Sequence, residues 1–250
     1  LALSTRKDRL LLAYLALNPG RALAREKLAG LLWGDRGETQ ARDSLRQSLA
    51  SIRNAFRQAG LDPVVADRDS VKFDPTGIDI DARDFERQAD NGRIAEAAEL
   101  YRGELLDGID GLTPEFETWL APERTRLAAI AIGLVEQLSL SATPPPIAQR
   151  LAQQLLSHDP LCEPACRALM RLHVIAGDRA AALKLYGACR ETLKRALGAP
   201  PDLRTETLYR DILTERAAPA TMEPASEKPS IAVLPFENLS RDPEIDHLCN

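Results

Sequence analysis

Aromatic residues make up only 4% of this sequence, so its core must rest on Leu, Ala, Ile and Val. That composition favours helices over β-sandwiches. No apolar run is long and unbroken enough to span a bilayer, so no membrane partner is expected. Leu1–Gly20 carries Arg6, Lys7, Asp8 and Arg9 and does not read as a signal peptide, although the chain opens at a leucine like a fragment. The four cysteines, Cys162, Cys166, Cys189 and Cys249, are too few for a disulfide framework in 250 residues, which fits a reducing, cytoplasmic setting.

Recognisable chemistry is missing too. No G-x-x-x-x-G-K-[ST], G-x-G-x-x-G or H-E-x-x-H occurs, so neither a cofactor nor an enzymatic activity is expected. Cys162 and Cys166 lie four apart with His158 and His173 near, but no second Cys or His pair completes a tetrahedral site. They read as buried free thiols in a helical array, as does Cys189. Asp79 and Asp81 read as solvated carboxylates, and Trp33 and Trp119 as core anchors.

The net charge of −5 is unevenly spread. Residues 1–75 hold 13 Lys and Arg against 9 Asp and Glu (net +4), and the rest holds 19 against 28 (net −9). A basic N-terminal third on an acidic body points to a local phosphate-binding surface.

Three helices are expected in that third. The first is Arg6–Leu17, broken by Asn18-Pro19-Gly20. The second is Ala24–Trp33, with Gly34-Asp35 suited to a left-handed cap. The third spans about Thr39–Ala59, with Leu45, Leu49, Ile52 and Phe56 forming a narrow apolar stripe. Opposite that stripe lie Asp43, Gln47, Ala50, Ser51 and Asn54, flanked by Arg42, Arg46, Arg53 and Arg57. Gln and Asn can read adenine edges, Arg can read guanine, and flanking arginines can hold phosphates. A solvated amphipathic helix has a similar pattern, but the segment after it adds a distinguishing element. Val64–Ala66 and Val71–Phe73, joined around Arg68-Asp69-Ser70, read as a short hairpin. Three helices followed by a two-stranded wing make a winged helix-turn-helix. The base-reading candidates are therefore Arg46, Gln47, Ser51 and Asn54, and the phosphate candidates are Arg42, Arg53, Arg57 and, at the wing tip, Arg68.

Three stretches in this third resemble SARP-type bacterial transcriptional activators: Arg9–Leu17, Leu28-Ala29-Gly30-Leu31-Leu32-Trp33-Gly34-Asp35, and Ala41-Arg42 through Leu45 to Phe56. The resemblance implies an OmpR-type winged helix that binds promoter repeats, here without the family's opening strands. Ile78-Asp79-Ile80-Asp81 with Asp84-Phe85 resembles the start of that family's bacterial transcriptional activator domain.

From there to Arg216 the chain reads as helix pairs. Gly92–Tyr101 and Gly177–Tyr186 share a Gly, two Ala, a Leu and a Tyr in register, as tetratricopeptide-like hairpins do. The stretch Leu106–Pro122 reads as irregular, followed by a helix over Glu117–Leu140 and the break Thr143-Pro144-Pro145-Pro146. Further helices are expected over Ile147–Ser157, Glu163–Ala176, Arg179–Leu197 and Pro201–Glu215. Residues 217–229 read as a linker, and Pro229–Pro243 resembles the truncated start of a TolB-like α/β domain.

The expected fold is mainly α: a winged helix-turn-helix over 1–75, then a tetratricopeptide-like α-hairpin array over 78–216. The expected partners are duplex DNA, RNA polymerase and a second copy of the chain through the helical domain. The competing expectation is a protein-interaction scaffold, its winged helix vestigial, within a larger cyclase or sensor protein.

Overall fold

In the computed structural model, residue 3 and residues 5–214 are described. The linker and TolB-like expectations, 217–229 and 230–250, lie outside the described residues, as does Glu215.

The described chain is mainly helical. Helix α1 (Arg6–Leu17) is capped by Thr5, whose hydroxyl accepts the Asp8 N–H at 3.1 Å. It leads through the two-residue strand β1 (Leu23–Ala24) into α2 (Arg25–Trp33) and the long α3 (Glu38–Gln58). Strands β2 (Val64–Ala66) and β3 (Ser70–Phe73) form the wing. The sheet order is β1-β3-β2, antiparallel, with Leu23 opposite Val71 and Val64 opposite Phe73. The strand β1 had no counterpart in the sequence reading; two residues are too few to show a period.

The stripe of α3 packs as its spacing requires. Leu45, Leu49, Ile52 and Phe56 are all buried against Leu10, Leu11 and Leu15 of α1 and Leu28 and Leu32 of α2. Phe56 and Phe73 meet at 5.9 Å between ring centroids and tie α3 to the root of the wing.

The expected left-handed cap at Gly34 is not formed: its φ is −62°. The carbonyls at the end of α2 are instead taken by side chains from elsewhere, Leu32 O by the Lys7 ammonium and Leu31 O by the Thr113 hydroxyl. Burial lowers the pKa of that ammonium, with Asp35 opposing. Glycine is needed at position 34 for space, because a Cβ there would stand 2.8 Å from the Gly30 carbonyl oxygen.

The array begins with α4 (Asp81–Asp90) and α5 (Ile94–Leu100). It continues through α6 (Pro114–Ser139), α7 (Pro146–His158), α8 (Glu163–Ile175), α9 (Arg179–Leu197) and α10 (Leu203–Leu213). The internal echo has a structural meaning. Ala97 and Ala182 are fully buried and Tyr101 and Tyr186 nearly so, giving close helix contact at equivalent places in two hairpins. Within Leu106–Pro122, expected to be irregular, helix begins at Pro114, because proline fits the first turn of a helix and Thr113 caps it.

Helix α6 serves two cores. Its first turns give Phe116 and Leu120 to the core of the winged helix, and Leu127, Ala131, Leu134, Val135 and Leu138 to that of the array. Trp119 stands between Tyr14, at 4.7 Å, and Phe116, at 5.0 Å, both edge-on. The winged helix is thus seated on α6 through a shared aromatic cluster.

At the far end, the buried Arg167 of α8 joins Glu136 of α6, Asp202 and Thr205 at 2.9–3.0 Å. Asp202 is also the cap of α10, accepting the Thr205 N–H at 2.7 Å. Burial alone would raise its pKa, but the Thr205 hydrogen bonds and the Arg167 charge outweigh it and hold the carboxyl below its ordinary range.

Candidate nucleic-acid interface

Helix α3 is built asymmetrically. Arg42, Arg46, Arg53 and Arg57 fall within a ~60° arc at ~100° per residue, all on the edge that borders the wing. Ser44, Gln47 and Ser51 lie on the other edge, toward α1 and Arg36. Between the two edges, Asp43, Ala50 and Asn54 are exposed. The arginines are thus concentrated on one flank of the polar face, as the ~100° spacing dictates, and not on both.

The wing is held at its root and its tip. Pairs Asp67–Ser70 and Pro63–Asp74 carry the ladder hydrogen bonds, at 3.0 and 2.8 Å. Alternation along an antiparallel pair then turns the Val64 carbonyl away from β3, to the open edge of the sheet. There it accepts both Nε (3.1 Å) and Nη2 (2.8 Å) of Arg53. At the tip, no residue takes a positive φ. The Asp67 carboxylate closes the turn instead, accepting the N–H groups of Asp69 (2.8 Å) and Ser70 (2.6 Å) and the Ser70 hydroxyl (2.9 Å). These bonds, the Ser70 N–H foremost, lower its pKa. The Asp69 carbonyl accepts the Arg25 N–H at 2.9 Å, and the Asp67 carbonyl the Arg25 guanidinium at 3.3 Å, so the tip rests on the start of α2.

These elements enclose an open cleft of about 790 Å³. Arg25, Arg42, Arg46 and Arg68 line it, together with Glu26, Asp67 and Asp69. Arg25 was not among the residues expected from sequence; only its contact with the wing tip, 42 residues away in the chain, brings it here.

The expected site residues divide into two groups. Arg42, Arg46, Gln47, Asn54, Arg57 and Arg68 are exposed. Arg42 pairs with Glu26 (2.9 Å) and Glu38 (2.6 Å), Arg46 with Asp43 (2.9 Å), and Arg57 with Asp62 (3.5 Å). Ser51 and Arg53 are half-buried and engaged within the protein. The Ser51 hydroxyl donates to the buried Asp8 carboxylate at 2.9 Å, and Arg53 holds Val64.

A match to the family model described as "Bacterial transcriptional activator domain" covers residues 78–213. The chain belongs to that family. The model described as "Transcriptional regulatory protein, C terminal" matches residues 2–67, the stretch that carries α3 and β2. Among curated proteins, this member of the family is 28% identical over 254 residues to the regulatory protein AfsR of Streptomyces coelicolor. That alignment covers 94% of this chain and 24% of the relative, so the chain spans about a quarter of its length. Among solved structures, Mycobacterium tuberculosis EmbR in complex with a low-affinity phosphopeptide superposes with a TM-score of 0.60 at 22% identity. It covers 86% of this chain and 61% of that one, a likeness of fold. Together these relationships establish a winged helix followed by a tetratricopeptide-like bacterial transcriptional activator domain.

Away from the cleft, Glu104, Asp107 and His158 bring three possible metal-ligand atoms within 4.8 Å. The His158 Nε2 already accepts the Glu104 N–H at 3.3 Å, and Glu104 pairs with Arg124 at 3.1 Å. Cys162, Cys166 and Cys189 are buried free thiols. Contact with Cys189, and then burial, push the Cys166 thiol up, away from the reactive thiolate. No helix among the described residues is long and apolar enough to cross a membrane.

Proposed function

We propose that this chain binds duplex DNA through α3 and the wing, as the promoter-reading part of a longer transcriptional regulator. One observation carries the reading: Arg42 and Arg46, on the arginine edge of α3, line an open cleft walled by the wing and the start of α2. Arg42 and Arg68 supply phosphate contacts, joined by Arg57 along the helix and by Arg46, a base-reading candidate by sequence that lines the cleft beside Arg42. Asn54, on the exposed centre of α3, and Gln47, on its far edge, supply base contacts in the major groove. Ser51 and Arg53 take no direct part, since both are engaged within the protein.

The DNA-binding part is 1–75 and the activator domain 78–216. A second copy of the chain docks through that domain, which also faces RNA polymerase. The segment 217–229 links onward to a TolB-like domain starting at 230. No catalytic step is assigned to the chain.

The test is selection of bound sequences from a random duplex pool, followed by titration across a salt series. Arg42→Ala and Arg46→Ala should each flatten the slope of log affinity against log salt by ~0.9. Binding to a protein partner with no affinity for duplex at ~0.1 M salt would favour the scaffold reading instead.

A further inference from the structure

We propose that Arg53 is a positioning residue: it sets the wing at the angle from which Arg68 reaches a phosphate, without touching DNA itself. The inference rests on the DNA-binding reading above. Among the described residues β2 is an outer strand of the sheet, and the Val64 carbonyl has no strand partner there on its open side. The two donors of one guanidinium converge on that oxygen from α3. Two donors of one planar guanidinium on the same carbonyl oxygen fix the direction of the contact between α3 and β2 as well as its length. Val64 is buried and Phe73 opposite it packs on Phe56, so the clamp sits at the root of the hairpin. The tip it aims carries Arg68, exposed and bordering the cleft.

Direct contact and positioning predict different couplings. Two arginines on separate phosphates contribute independently, and the salt slope falls once for each. A positioning arginine acts only through the group it positions. The experiment uses the full chain and a duplex taken from the random pool, with Arg53→Ala, Arg68→Ala and the double variant titrated by fluorescence anisotropy over a salt series.

Each single variant is expected to flatten the slope by ~0.9, with the double variant no flatter than Arg68→Ala and within twofold of its affinity. A double variant flattened by ~1.8, or Arg53→Ala with wild-type binding, would overturn the role. Amide hydrogen exchange gives a second readout independent of DNA. Val64–Phe73 should exchange faster in Arg53→Ala and at the wild-type rate in Arg68→Ala; equal rates in all three would also overturn it. Absence of duplex binding by the wild-type chain would instead sink the DNA-binding reading, and this role with it.

Discussion

The hydroxyl of Ser51 and the carboxylate of Asp8 meet at 2.9 Å between α3 and α1, and Asp8 is only 2% exposed. A carboxylate this deep in the protein needs donors, because the desolvation cost of its charge is otherwise unmet. The Ser51 hydroxyl is such a donor, and Ser51 is half-buried where Gln47 and Asn54 on the same helix are exposed.

Ser51→Ala should accordingly lower stability by ~1–3 kcal/mol, the cost of taking a hydrogen-bond donor from a buried acceptor. Duplex affinity of the folded fraction should stay within twofold. Urea unfolding and anisotropy together check this. A tenfold loss of binding at unchanged stability would make Ser51 a base-reading residue after all.

The wing tip should respond to acid through Asp67. Its carboxyl is held below the usual range by the N–H groups of Ser70 and Asp69 and the Ser70 hydroxyl. A depressed folded pKa contributes order that is fully present above the unfolded value and is lost as pH falls through the folded one. Hydrogen exchange of the Asp69 and Ser70 amides, corrected for intrinsic rates, should therefore stay slow at neutral pH and accelerate below ~4, the ordinary aspartate value. In Asp67→Ala the same amides should exchange fast at every pH, and a pH-dependent step surviving in that variant would point to another group.

What could be read from the chain alone follows from which forces are local. The stripe Leu45, Leu49, Ile52 and Phe56 is legible because helix geometry and burial act within one segment. The wing strands are legible because short β-branched runs flank a polar turn. The bonds that Ser51 and Arg53 make within the protein are not legible, because a helical projection gives an angle and not the neighbour found there. Their partners, Asp8 and Val64, are 43 and 11 residues away. Gly34 misled for a related reason: the cap it could have formed is superseded by Lys7 and Thr113, both brought in by tertiary packing. Pro114 fits an irregular stretch and the first turn of a helix equally well, and only the cap that Thr113 forms before it decides between the two.

Phe116 gives a direct test of how the two cores are joined. It is fully buried, lies in α6 and packs in the core of the winged helix. Phe116→Ala should cost ~3–5 kcal/mol, the usual range for emptying a buried aromatic site. Tryptophan fluorescence reports on Trp33 and Trp119, which both belong to that first core. Far-UV ellipticity reports mostly on the array. Because α6 runs through both, the two signals should melt together and shift together in the variant. A fluorescence transition that moves alone, leaving the ellipticity curve in place, would show that the cores unfold independently.

The acidic partners of Arg42 should act as competitors of DNA. The Glu26 and Glu38 carboxylates share one guanidinium, at 2.9 and 2.6 Å, and are themselves 79% and 77% exposed. Pairs this open contribute only ~0.2–1 kcal/mol each, so a phosphate can displace them at modest cost. Removing a carboxylate abolishes that cost and also its repulsion of the approaching backbone. Glu26→Gln should therefore tighten duplex binding by up to ~5-fold, the factor corresponding to ~1 kcal/mol. Competition between charges at the surface is screened, so the gain should shrink as salt is raised toward ~1 M, where the Debye length is only ~3 Å. In an Arg42→Ala background the same substitution should lose most of its effect, since the guanidinium it would have freed is absent. Titrations of the four proteins at two salt concentrations measure this coupling. Equal tightening with and without Arg42 would mean that Glu26 acts on DNA by bulk charge alone and that Arg42 holds no phosphate.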